Sequence, residues 1–202
     1  MKIVLISGSH RKVSQSQKVA QFACKMLTQN DSNVQAEVLS LAEINLPMWD
    51  EDVLQNAPRW KEKFGPVSQK LTAADGIVVV SPEWAGMVPP ALKNLFLLCS
   101  NDELTHKPGL IVGVSAGKGG SYPVAELRMS SYKNNHIAYM PEHIIVRDVE
   151  HVLNSDTAQS PDDTMLRERF DYALRLLKSY ALALGPVREK HSGEFKKFPF
   201  GM

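Results

Sequence analysis

The sequence predicts a three-layer α/β sandwich, a five-stranded parallel sheet in the order 2-1-3-4-5 with helices on both faces. Three observations carry this. Short, continuous apolar runs rich in β-branched residues recur along the chain, as strands buried on both faces read. Between them lie segments with apolar residues at helical spacing. Gly, Ser and Pro punctuate the boundaries.

The first strand is "KIVLIS", residues 2–7. After Ser14, residues Val19, Phe22, Ala23, Met26 and Leu27 fall on one face of a helix. "VQAEVLSL", 34–41, alternates and suits an outer strand, and 59–75 reads as a weaker helix. "GIVVVS", 76–81, is a buried strand, followed by "PPALKNLFLLC", whose Pro89-Pro90 suits a first helical turn. "GLIVGVS", 109–115, precedes a weak helix at about 121–134, and "HIIVRDV", 143–149, is the fifth strand. Residues 163–184 place Leu166, Phe170, Ala173, Leu174, Leu177, Ala181 and Leu184 on one stripe, which Gly185-Pro186 is expected to stop. This gives a domain over 1–185 and a polar tail over 186–202, either a packing arm or a frayed end. Five strands suit a flavodoxin-like order better than a six-stranded dinucleotide fold, and place ligands beyond the strands' carboxyl ends, between the first and third.

A length of 202 residues suits one domain. The formal net charge of +1, with no long block of one sign, argues against a nucleic-acid or membrane-surface protein. No apolar run approaches the ~18 residues of a membrane span, and the N-terminus leaves no room for a signal peptide. The expectation is a soluble, cytoplasmic chain. Cys24 and Cys99 form no CxxC pair and read as core residues. His10, His106, His136, His143, His151 and His191 show no metal-ligand spacing, and no GxSxG elbow occurs. No metal and no catalytic side chain are expected, so a bound cofactor would carry the chemistry.

Three loops after central strands have the composition of a ligand site. Ser7 to Ser16 joins a strand to a helix, whose free amides, with Ser9, Ser14, Ser16 and Arg11, suit a phosphomonoester. The competing reading makes Ser14 an N-cap with Gln17 as its capping-box partner, which leaves Ser9 and Arg11 unexplained. "SPEWAGMVPP", 81–90, is a rigid turn that can aim amides at the polar edge of a flat ring while Trp84 and Met87 cover apolar parts. Equally, Trp84 can be core or interface and Glu83 a solvated carboxylate. "SAGKGGSYP", 115–123, allows close backbone approach, with Lys118 placed to meet a phosphate, or is a glycine-rich turn without a partner.

These stretches resemble the NADPH-dependent FMN reductase family. "GSHRKVSQS" is similar to its GSxRxxSxN phosphate loop, "SPEWAGMVPPALKN" to PEYNGSxPxxLKN, "HKPGLIVGVSAGKGG…LR" to KPxxxxxxSxGxxGG…LR, and "LPMWDEDV" to LPxYxxD. The match runs from residue 2 to about 130; the last third follows only in outline. The resemblance implies that Ser9, Arg11, Ser14 and Ser16 hold the FMN phosphate. It implies that Pro82, Glu83, Trp84, Gly86 and Met87 line the isoalloxazine, and that Ser115, Gly117, Lys118 and Gly119 close the other side. It further implies hydride transfer from NADPH or NADH to flavin, then to a quinone, free flavin, azo or metal-ion acceptor, in a homodimer or homotetramer. In that cycle, amides of the second loop would stabilise charge on the reduced ring. Ser16 stands where the family has Asn, and Trp84-Ala85 where it has Tyr-Asn, which bears on cofactor affinity and nicotinamide preference. A flavodoxin-type electron carrier would typically be strongly acidic, unlike this chain. The remaining alternative is a non-flavin transferase for a phosphate-bearing ligand, with Glu83 as nucleophile.

Overall fold

The computed structural model describes residues 1–55, 57–99, 103–194 and 197–198. Five parallel strands, β1 (Lys2–Ser7), β2 (Gln35–Ser40), β3 (Gly76–Pro82), β4 (Pro108–Val114) and β5 (Ala138–Val146), form one sheet in the order β2-β1-β3-β4-β5. The helices are α1 (Gln15–Asn30), α2 (Leu41–Ile44), α3 (Pro58–Lys63), α4 (Gly65–Thr72), α5 (Pro90–Leu98), α6 (Ser121–Ser130) and α7 (Pro161–Lys190). The predicted flavodoxin-like architecture is present.

Alternation along the strands builds two cores. Ile3, Leu5, Val78, Val80, Leu110 and Val112 pack under α1 and α7 with Phe170 and Leu174. Val4, Ile6, Ile77, Val79 and Ile111 pack on the other face against Leu71 of α4, Leu92 and Leu95 of α5, and Leu127 of α6. Because every residue of β1 after Lys2 and of β3 and β4 is buried, the strands read as unbroken apolar runs. Cys99 is buried and Cys24 partly so.

Three boundaries differ from the sequence expectation. The fifth strand starts at Ala138 and ends at Val146 instead of spanning 143–149, because its first half, AYMPE, is only partly buried and lacks the apolar signal. The helix expected over 59–75 is two, α3 and α4, divided at Phe64, with Pro66 in the first turn of the second. The last helix is not stopped by Gly185-Pro186 but runs to Lys190, so the boundary between domain and tail drawn at 185/186 marks no break. Pro186 removes a bond to the carbonyl of Leu182, a residue 70% exposed, where water can take the place of the lost donor. Residues 195–196 and 199–202 of the expected tail lie outside the described residues.

The segment after β5 braces the end of the sheet that carries the three loops. Asp163, 1% exposed, accepts from the amides of Leu153 at 3.0 Å and Gln159 at 3.2 Å and from Arg167 Nε at 3.2 Å. The loop thus held offers the carbonyls of Val149 and Val152 to Lys18 Nζ of α1, at 2.6 and 2.9 Å. Burial works to raise the Asp163 pKa, but the bonds from Arg167 and the two amides outweigh it and hold the carboxyl below its ordinary value. Its folded pKa lies below its unfolded one, so its contribution is present above the unfolded value and is lost as pH falls through the folded one. Asp163→Asn is expected to cost about 2–4 kcal/mol at pH 7, from broken buried bonds. Urea titrations should show the gap to wild type narrowing as pH drops below about 4.

Candidate functional site

The order of the sheet sets β1 beside β3 while the chain leaves them for opposite faces, to α1 from β1 and to α5 from β3. Their loops therefore part and leave a crevice at the carboxyl edge. Its floor is closed by the Gly8 amide donating to the Val80 carbonyl at 2.8 Å. A Cβ on Gly8 would lie 2.8 Å from Leu92 Cδ2 and 2.9 Å from Val80 O, so only glycine fits there.

Above this floor, Ser9 is buried and its Oγ accepts from the Arg11 amide at 3.2 Å. Ser14 caps α1, accepting from the Gln17 amide at 3.0 Å, so the N-cap reading of Ser14 holds. Among the described residues, however, the Gln17 side chain returns no bond to the Ser14 amide, and the capping box is not closed. Ser16 is buried in the first turn and Arg11 is exposed. Among the described residues, the amides of Lys12, Val13, Ser14, Gln15 and Ser16 have no partner. The first turn of α1 also carries no acidic residue. A run of unpartnered amides at a helix N-terminus, beside an exposed guanidinium, fits a phosphate by the chemistry of its donors.

The second loop is a two-residue hairpin turn. Trp84 and Met87 exchange amide–carbonyl bonds at 3.1 and 2.9 Å around Ala85 (φ 48°) and Gly86 (φ 74°), both left-handed, as a type I′ turn requires. The Glu83 amide bonds to Val114 O at 2.9 Å and the Val88 amide to Glu126 Oε2 at 2.7 Å. The expectation that this loop aims its amides at a ring therefore narrows: among the described residues only those of Ala85 and Gly86 lack a partner. Pro82 is buried at the end of β3, Trp84 half-buried, and Met87 exposed. A flat ring with a polar edge fits two free amides flanked by an indole and a thioether.

Glu83 and Lys118 are committed elsewhere. Glu83 Oε2 accepts from the Gly120 amide at 2.6 Å, placing a carboxylate on the N-terminus of α6. Gly119 leaves room for it, since a Cβ there would lie 2.6 Å from Glu83 Oε1. A nucleophilic Glu83 would have to abandon this bond. Lys118 pairs with Asp148, just past the end of β5. Because β5 lies three strand spacings from β1, roughly 14 Å, this pairing places Lys118 at the far edge from the Ser9–Ser16 loop. Ser115 Oγ accepts from the Gly117 amide at 3.2 Å, and Asp148 N–H bonds to Gly117 O at 3.0 Å. Gly117 itself faces open space.

Two residues escaped sequence reasoning. His10 meets Trp84 edge to face across the crevice, with centroids 4.7 Å apart, a contact with no sequence signature. Ser7, 1% exposed at the end of β1, has an Oγ without a partner among the described residues. Its position as a polar residue closing an apolar strand was the available signal.

A family model described as NADPH-dependent FMN reductase matches residues 1–151. An NADPH azoreductase of Bacillus sp. (strain OY1-2) is 26% identical over 159 residues, covering 79% of this chain and 83% of the relative. An FMN-dependent NADPH-azoreductase of Staphylococcus aureus is 26% identical over 170 residues, covering 84% and 89%. Among solved structures, the flavoenzyme FerB, an NAD(P)H:(acceptor) oxidoreductase from Paracoccus denitrificans, superposes with a TM-score of 0.70 at 18% identity. It covers 94% of this chain and 98% of its own, a likeness of fold.

Ala85 is the one residue of the turn whose Cβ opposes its backbone conformation. Ala85→Asn, which tolerates the left-handed region, is expected to raise the unfolding free energy by about 0.5–1 kcal/mol. Ala85→Val should lower it by at least as much, both read from urea midpoints at constant m-value.

Proposed function

The chain belongs to the NADPH-dependent FMN reductase family, and from that premise we propose how its residues serve FMN-dependent NAD(P)H oxidoreduction. The carrying observation is the unpartnered amide run over Lys12–Ser16 at a helix end without a carboxylate of its own. Ser9, Arg11, Ser14 and Ser16, with these amides, would hold the FMN phosphate. Pro82, Trp84, Gly86 and Met87 would line the ring, with the free amides of Ala85 and Gly86 available to its polar edge. The chemistry such a group would supply is hydride uptake from NADPH or NADH and electron delivery to a second substrate.

Everything else falls to positioning. Glu83 and Lys118 fix the loops that carry Trp84, Ser115, Gly117 and Gly119, through Gly120 and Asp148 respectively. Donors set in place before charge develops stabilise it without reorganising. No side-chain acid is required at the crevice. The relatives named azoreductases support an azo compound as acceptor, with quinones and free flavin sharing the same planar, electron-poor chemistry.

The partner of this chain is a second copy of itself. A groove of about 730 Å³ runs between α5 and α6, lined by Trp49, Leu54, Phe96, Leu97 and Leu127. Leu97, 64% exposed, stands in this groove, and Tyr122, 66% exposed, lies by the Gly86 turn, where its Cδ2 would be 3.9 Å from a Cβ at Gly86. Exposed apolar surface of this kind marks a protein interface. The cytoplasm, with its nicotinamide pool, is the compartment this reading implies. No helix among the described residues is long and apolar enough to cross a membrane.

Arg11→Ala is expected to weaken FMN binding about 10- to 100-fold, the worth of charge-assisted bonds, while riboflavin, which lacks the phosphate, binds nearly as before. Equal losses for both would sink the phosphate assignment. Light scattering should find a dimer for wild type and a monomer for Leu97→Glu.

A further inference from the structure

The crevice between the β1 and β3 loops is spanned twice. Its floor is the Gly8–Val80 backbone bond; its rim is the contact of His10 with Trp84, at 4.7 Å between centroids and 74° between planes. Both rings stand on fixed backbone. His10 lies between Gly8, which is bonded to β3, and Arg11, whose amide is held by Ser9 Oγ at 3.2 Å. Trp84 is held by its paired bonds with Met87 and by the Glu83 amide on Val114 O. Among the described residues, no other ring or cation contacts the Trp84 indole. His10 is therefore the one aromatic partner available to fix its orientation.

We propose that the His10–Trp84 pair is a clasp across the crevice, and that His10 is a positioning residue, acting through the Trp84 indole to set how long FMN stays bound. The inference rests on the flavin reading above. A ligand whose phosphate lies in the β1 loop and whose ring lies on the β3 loop touches both sides of the crevice, so both sides have to part for it to leave. The edge-to-face contact of the two rings opposes that parting. Neither ring reacts; the pair governs exit, and the orientation of the surface that Trp84 presents to the ring.

The test is a double-mutant cycle on FMN release. Apo-proteins of wild type, His10→Ala, His10→Phe, Trp84→Ala and the double variant H10A/W84A are loaded with FMN. Each is then diluted, and recovery of free-flavin fluorescence is followed. His10→Ala is expected to release FMN about three- to tenfold faster, the worth of an edge-to-face aromatic pair. His10→Phe, which keeps an aromatic ring against the indole, should restore the wild-type rate. The double variant should release no faster than Trp84→Ala alone. Near-UV circular dichroism of the apo-proteins adds a readout that needs no flavin: His10→Ala should lose the same tryptophan band that Trp84→Ala loses, with far-UV spectra unchanged. Identical release from wild type and His10→Ala, or effects of His10 and Trp84 that simply multiply, would overturn the clasp. Wild type that retains no FMN would remove the flavin reading and the clasp together. Retained FMN with unresponsive variants would remove the clasp alone.

Discussion

The Gly8 amide reaches the Val80 carbonyl because β1 and β3 are parallel neighbours whose chains leave for opposite faces of the sheet. Topology imposes the divergence; the bond makes a floor of it. A side chain at residue 8 would meet Leu92 on one side and Val80 O on the other, so the loop that follows β1 can descend only over glycine. From that point, the direction of the chain into α1 is settled. The unpartnered amides of residues 12–16 lead into a helix whose axis the α1–α7 core has already fixed. Core packing thereby orients an electrostatic feature that contributes nothing to the core.

How the chain distributes its carboxylates sharpens this. The N-terminus of α6 receives Glu83, and that of α7 carries Asp162 and Asp163 in its first turn. Both helix dipoles are met from within the molecule, which stabilises folding. The first turn of α1 has Gln15, Ser16 and Gln17 instead, with Lys12 and Arg11 just before it. The first turns of α3, α4 and α5 carry no acidic residue either, so what sets α1 apart is the run of unpartnered amides beside Arg11, the feature on which the phosphate reading rests.

Most of this was legible in sequence, for identifiable reasons. Strands buried on both faces write themselves as continuous apolar runs, so β1, β3 and β4 were found nearly to the residue, and their order followed from connection rules. Strand β5 is an edge with one half partly solvated, and its signal faded where burial did. Gly185-Pro186 misled because breaker residues act through a hydrogen bond, and the bond in question faces water. In the candidate site, residue types pointed to three loops at one edge of the sheet, but commitments between loops were invisible. Glu83 with Gly120, Lys118 with Asp148 and His10 with Trp84 join residues 37, 30 and 74 positions apart. Nothing local encodes such pairs.

Those commitments also decide where selectivity can come from. With Glu83 and Lys118 engaged in holding loops, the crevice has no free carboxylate or lysine of theirs to offer as acid or base. Chemistry then enters with what is bound, and discrimination falls to shape and field. Both lips carry cations. Arg11 and Lys12 are exposed and have no ion-pair partner among the described residues, while at the opposite lip Lys118 pairs with Asp148 and Arg147, exposed and without an ion pair among the described residues, bonds through Nε to the carbonyls of Lys118 and Gly119. Since the whole chain carries only +1, this positive charge is local to the loop edge and does not draw anions to the surface at large.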